Sequence, residues 1–111
     1  MIRARFERCG ISRLGVCIEG HSGYSADGKD IVCAGVSAIF YALLGYLSNS
    51  FGDSLTVKEV SSGRAEIECP EEGEEAVRMA CIGILQISEN YPFCVSVENR
   101  IWNSKFGKKE I

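Results

Sequence analysis

The chain holds a single histidine, His21, and twelve residues later a cysteine, Cys33, at the head of a long uncharged run. An imidazole is a base near neutral pH and a thiol is a ready nucleophile, so the pair could carry nucleophilic hydrolysis. The stretch reads Gly20-His21-Ser22-Gly23-Tyr24, then Gly28-Lys29-Asp30-Ile31-Val32-Cys33. Asp30 suits the cap of a helix starting near Ile31, which places Cys33 in its first turn. Unpaired N–H groups and the helix dipole favour a thiolate there, and the same groups could hold an oxyanion. Ser37 follows one turn later on the same side. Gly23 and Gly28 permit tight bends, and Tyr24 offers an aromatic wall to a substrate that closes the loop.

The same residues have plainer readings. Cys33 could be a small core residue, His21 a surface side chain, Asp30 only a cap and Ser37 a back-bond to its own helix. Glycines ahead of a helix can also cradle an anion, but neither the Walker spacing nor Gly-x-Gly-x-x-Gly is present. No CxxC or HxxxH spacing points to a metal.

Alternation sets the elements around this pair. Residues 2–8 put Ile2, Ala4 and Phe6 opposite Arg3, Arg5 and Glu7, and residues 14–19 alternate again, which predicts a hairpin. Residues 20–29 are loop. No charge occurs from Ile31 to Gly52, and the stretch from Ile31 to Leu47 is too long for a strand. Its length would allow a membrane span, yet Gly35, Ser37, Tyr41 and Gly45 dilute it and strands flank it. A helix buried on a sheet or at a subunit interface accounts for it better. Residues 55–60 and 64–69 form a second hairpin around Ser61-Ser62-Gly63, closed by Pro70. Residues 74–89 form a second helix with Val77, Met79, Ala80, Cys81, Ile84, Leu85 and Ile87 as its apolar surface. A last strand covers 93–97, with Phe93, Val95 and Val97 inward. The order β-β-α-β-β-α-β implies an α+β fold: a two-layer sandwich with a five-stranded sheet and two helices on one face. Residues 1–98 make the domain and 99–111 a polar, basic tail.

With 111 residues and 46% hydrophobic content, the chain fits one domain with a real core. A net charge of -3 disfavours bulk electrostatic binding of nucleic acid. Charge is uneven: basic residues mark both ends, and Glu66, Glu68, Glu71, Glu72, Glu74 and Glu75 cluster between them. The six cysteines do not read as a secreted disulfide scaffold. Met1 leads straight into alternating Arg and apolar residues with no signal-peptide pattern, and several cysteines fall inside predicted elements. A reducing cytoplasm is the expected setting.

The segment from Gly20 to Ala38, a GHxGY-like stretch followed by GxDxVCAxxS, resembles the ribosomal-processing cysteine protease family, Prp. The resemblance implies a dimeric, cofactor-free bacterial endopeptidase that removes a short N-terminal extension from ribosomal protein L27. It places the catalytic histidine on His21 and the catalytic cysteine on Cys33. Asp30, Ser37 and Gly20 fall on supporting positions of the family's motif. Ser22 stands where alanine is expected, and Gly35 replaces a bulkier residue. The other classes to weigh are a noncatalytic ribosome-associated binding or assembly protein, a redox thiol protein and a structural homodimer module.

Overall fold

The computed structural model describes residues 1–23 and 30–102. Strands β1 (Ile2–Arg8) and β2 (Arg13–Glu19) are followed by helix α1 (Ile31–Phe51). Next come strands β3 (Thr56–Ser61) and β4 (Arg64–Pro70), helix α2 (Glu74–Asn90) and strand β5 (Val95–Asn99). Single 3-10 turns follow α1 and β4.

The sheet runs β3-β4-β2-β1-β5. β1 pairs antiparallel with β2, β2 with β4 and β4 with β3, whereas β5 lies parallel to β1. Each helix is therefore a crossover between parallel strands: α1 carries the chain from β2 to β3, and α2 from β4 to β5. The crossovers explain why the two hairpins meet. β4 docks on β2, with Glu19 opposite Arg64 and Val16 opposite Ile67.

The alternation predicted in β1 is realised. Ile2, Ala4 and Phe6 are buried and lie in one core cluster with Leu14, Val16, Ile67, Cys69 and Val95. Helix α1 adds Val32, Val36, Phe40, Leu43 and Leu47 at helical spacing, and α2 adds Val77, Ala80, Cys81 and Ile84. Burying each large aliphatic or aromatic side chain is worth roughly 1.5–3 kcal/mol. Although α1 is long and apolar enough to cross a membrane, this stripe of it is core. The opposite sheet face carries an ion-pair lattice in which Arg64 bridges Glu19 at 2.6 Å, Glu66 at 3.0 Å and Glu59 at 3.2 Å.

Three details depart from the sequence reading. Helix α1 continues past Leu47 to Phe51, because Ser48, Asn49 and Ser50 are tolerated on its solvent side. The last strand begins at Val95, not at residue 93. Phe93 lies in a turn after Pro92 and is 89% exposed, so it does not face inward. Met79 is 74% exposed and lies on the outer side of α2 instead of in the core.

Residues 100–102, just beyond β5, fold back on the body. Asn99 Oδ1 accepts from the amides of Ile101 and Trp102 at 3.0 Å each, and Trp102 Nε1 donates to Glu74 Oε2 at 2.6 Å. The basic residues Lys105, Lys108 and Lys109 lie outside the described residues.

Candidate active site

Four pieces of chain converge at one end of the sheet: the start of β1, the residues after β2, the N-terminus of α1 and the β3–β4 turn. They surround a groove of about 410 Å³ that His21 and Cys33 both line, together with Gly20, Ser37, Tyr41 and Gly63. Ile2, Ile18, Val36, Phe40, Val60 and Ala65 give it apolar walls.

Gly20 is the first residue after β2 and adopts φ 98, in the left-handed region that favours glycine. A Cβ there would lie 2.2 Å from the carbonyl oxygen of Met1, a contact that no side chain can make. The Gly20 amide donates to the carbonyl of Gly63 at 2.8 Å. The residue ahead of the histidine is thus held from two sides, and His21 projects into the groove from a fixed base.

At the other wall Asp30 caps α1. Its backbone is extended, and its Oδ1 accepts from the Cys33 amide at 2.9 Å. Its second carboxylate oxygen accepts from the Ser22 hydroxyl. Ser22 is 4% exposed. One carboxylate therefore ties the segment after His21 to the helix turn that carries Cys33. Asp30 is a cap, as its sequence position implied, and also a link between the segments that carry His21 and Cys33. No hydrogen bond joins His21 to Cys33 or to Asp30 among the described residues.

Cys33 is half-buried at the third position of α1 and lines the groove. Its amide is taken by Asp30, and the Ala34 amide bonds the Asp30 carbonyl at 3.1 Å. Ser37 lies on the exposed side of α1 and lines the groove one turn beyond Cys33, with Tyr41 one turn further. Gly23 is exposed at φ 72 and does not line the groove. Tyr24 and Gly28 lie outside the described residues.

The remaining cysteines differ in environment. Burial pushes the Cys69 thiol up to about 11 and the Cys81 thiol up to about 12. Burial also raises Cys9 and Cys17 above the ordinary thiol value. All six are free thiols.

The sequence reading did not place the hairpin turn Ser61-Ser62-Gly63 at the site, nor the wall residues Phe40, Tyr41 and Val60. The turn was legible as a turn. Its place beside His21 follows only from the pairing of β4 with β2, a contact between residues 43 positions apart at Gly20 and Gly63.

Solved structures share this architecture. A crystal structure of an essential ribosomal processing protease, Prp, from S. aureus with a covalently linked product peptide superposes with a TM-score of 0.78. That alignment has 19% identity over 90% of this chain and 100% of that one. The S. aureus protease with a substrate peptide gives a TM-score of 0.72 at 18% identity, over 90% of this chain and 100% of that one. At these identities the likeness is one of fold. A crystal structure of a Streptococcus mutans protein is 30% identical, with a TM-score of 0.68, over 90% of this chain and 94% of that one. No curated protein sequence matches the chain. Residues 1–96 match the family described as cysteine protease Prp, which accords with a cysteine and a histidine lining one groove, and the chain belongs to that family.

Proposed function

We propose that this cysteine protease removes the N-terminal extension of bacterial ribosomal protein L27, with Cys33 as nucleophile and His21 as general base and acid. The observation that carries the reading is that His21 and Cys33 line one groove, which Ile2, Ile18, Val36, Phe40, Val60 and Ala65 line with apolar side chains. A groove of this kind suits an extended peptide with bulky residues beside the cut. The S. aureus relatives with a substrate peptide and with a covalently linked product peptide support the same use of the fold.

In the proposed reaction His21 accepts the Cys33 thiol proton as the sulfur attacks the scissile carbonyl. The Cys33 amide is engaged by Asp30, so the first-turn donors left for the oxyanion are the amides of Ile31 and Val32. Collapse of the tetrahedral adduct breaks the C–N bond, and His21 returns its proton to the leaving amine. Water, deprotonated by the same imidazole, then hydrolyses the thioester and restores the thiol. Ser22 and Asp30 hold the two walls in register, and Gly20 fixes the base of the histidine. We assign Ser37, Tyr41 and Tyr24 to substrate contact, with Gly23 in a supporting role.

We place the reaction in the cytoplasm and the enzyme in a homodimer. The outer faces of α1 and α2 support pairing, since Tyr46 and Met79 are exposed beside an apolar groove of about 550 Å³. Sedimentation of the purified chain tests the assembly. The function is tested by incubating an extended L27 peptide with the wild type and with Cys33→Ala. The variant is expected to lose on the order of 10³-fold or more in cleavage rate, as nucleophile removal does elsewhere. Continued cleavage by Cys33→Ala overturns the role given to Cys33.

A further inference from the structure

We infer that Gly63, in the β3–β4 turn, is a positioning residue for the His21 imidazole. The consequence for catalysis rests on the function proposed above; the positioning itself does not.

Three observations meet at this residue. Gly63 adopts φ 81. A Cβ at Gly63 would lie 3.0 Å from His21 Nε2, 3.5 Å from Cε1 and 3.8 Å from Cδ2. The apex of the imidazole therefore rests where a side chain would otherwise stand. The Gly63 carbonyl also accepts the Gly20 amide at 2.8 Å, so the same residue holds the backbone leading into His21 and supports its ring. The turn is itself anchored: Arg64, the next residue, pairs with Glu19 in the sheet register and by a salt bridge of 2.6 Å. Ser61, Ser62 and Gly63 line the groove that Cys33 borders, so the turn faces the reacting space.

A turn glycine needs only its backbone conformation. Gly10, in the β1–β2 turn, shows that case: it adopts φ 74, and a Cβ there meets nothing within 4 Å. Gly63 has the same conformational demand plus a ring against it. The distances imply that Gly63→Ala must move the imidazole or the turn by a few tenths of an ångström. Misplacing a catalytic group by about 1 Å can cost about 10²-fold in rate, so a smaller shift is expected to cost about tenfold.

The test compares Gly63→Ala with Gly10→Ala in the full chain. Both put a side chain at a left-handed φ, and both are expected to lower the melting temperature. Only Gly63→Ala is expected to shift the imidazole resonance and its titration midpoint, which NMR reads without ambiguity because the chain has one histidine. It is also expected to lower kcat on an extended peptide about tenfold, with KM within about twofold, and to displace the acid limb of the pH profile. Unchanged resonance and titration in Gly63→Ala, or equal changes in Gly10→Ala, overturn the inference.

A second measurement covers the case in which Gly63→Ala is too unstable for kinetics. In a His21→Ala background the ring is gone, so the melting penalty of Gly63→Ala is expected to shrink towards that of Gly10→Ala. Additive penalties overturn the inference. The resonance and the coupling do not depend on cleavage, so they remain readable even if the chain cuts no L27 peptide, which would instead overturn the proposed function.

Discussion

The two hairpin turns sit at opposite ends of β2, and the contrast between them separates folding from function. The β1–β2 turn has Gly10 at φ 74, Ser12 at φ 65 and Ile11 94% exposed. It closes the sheet and is tied down by the Ser12 carbonyl, which accepts the Glu71 amide at 2.9 Å, and by an Arg8–Glu71 ion pair at 3.3 Å. Residues 9–12 of that turn do not line the groove that His21 and Cys33 share. The β3–β4 turn is shorter and has a left-handed glycine too, but it is packed against His21 and lines the cleft. Backbone conformation does not distinguish the two turns; what the missing Cβ would touch does.

The largest expected effect comes from Gly20→Ala. The new methyl would enter the Met1 carbonyl oxygen at 2.2 Å, and neither partner is the end of a flexible side chain. Backbone displacement of about 1 Å next to His21 predicts a rate loss of about 10²-fold or more. The strained φ and the clash together predict destabilisation of about 2–4 kcal/mol, against about 1 kcal/mol for Gly10→Ala. Denaturant unfolding beside peptide cleavage reads both. A Gly20→Ala enzyme that behaves like Gly10→Ala erases the difference between the two ends.

Asp30→Ala ranks next. Losing an N-cap costs about 0.5–2 kcal/mol, and here it also leaves the buried Ser22 hydroxyl without this carboxylate partner. Cleavage is expected to fall with stability, because both walls of the groove share that carboxylate. Asp30→Asn keeps an acceptor for the Cys33 amide and is expected to recover most of the stability. Equal melting temperatures for Asp30→Ala and the wild type would show that the carboxylate does not link the walls.

Much of this end of the molecule was legible from residue types. Alternation in Ile2–Arg8 marked β1, the uncharged run marked α1, and Asp30 three residues ahead of Cys33 marked the cap. Those signals are local, because they depend on strand period and first-turn hydrogen bonding. What was hidden is non-local. Gly63 reads as any hairpin glycine until β4 is placed against β2. Phe93 reads as a strand residue until the Pro92 turn turns it into solvent. Trp102 reads as tail until its indole reaches Glu74 on α2. Sheet pairing decides Gly63 and a contact with α2 decides Trp102, and no short window of sequence contains either; at Phe93 the Pro92 turn outweighs the apolar alternation.

The thiols sharpen the comparison between the groove and the core. Cys69 and Cys81 ionise only near 11 and 12 in the folded chain, because burial penalises the thiolate. At pH 8, alkylation followed by peptide mapping is expected to label Cys33, on the groove, and to spare Cys69 and Cys81 until the chain unfolds. The same shifts set a pH dependence. Unfolded, these thiols have an ordinary value of 9.0. Above that pH the unfolded chain releases protons that the folded chain retains, so stability falls as pH rises from 9.0 through the folded values of about 11 and 12. Cys81→Ala is expected to flatten the decline in melting temperature over this range. An equally steep decline would mean that Cys81 is already ionised in the folded core.

The smallest effect is expected on the open face of the sheet, far from the groove. Lys58 Nζ lies 2.6 Å from Glu68 Oε2. Its hydrogen bond and charge hold the Glu68 carboxyl below the usual carboxylate value. A depressed carboxylate stabilises the fold above its unfolded pKa, and that contribution disappears as pH falls through the folded pKa. Lys58 is about half exposed, so solvent screening reduces the pair to a minor contribution. Lys58→Ala is therefore expected to lower the melting temperature slightly at pH 7, with the difference from wild type closing under acid conditions and in high salt. Peptide cleavage is expected to stay at the wild-type rate, because the pair touches neither His21, Cys33 nor the turn that supports them. A Lys58→Ala enzyme that loses activity without losing stability would place part of the catalytic support on the outer face of the sheet, and the division between the two ends of β2 would have to be redrawn across its two faces.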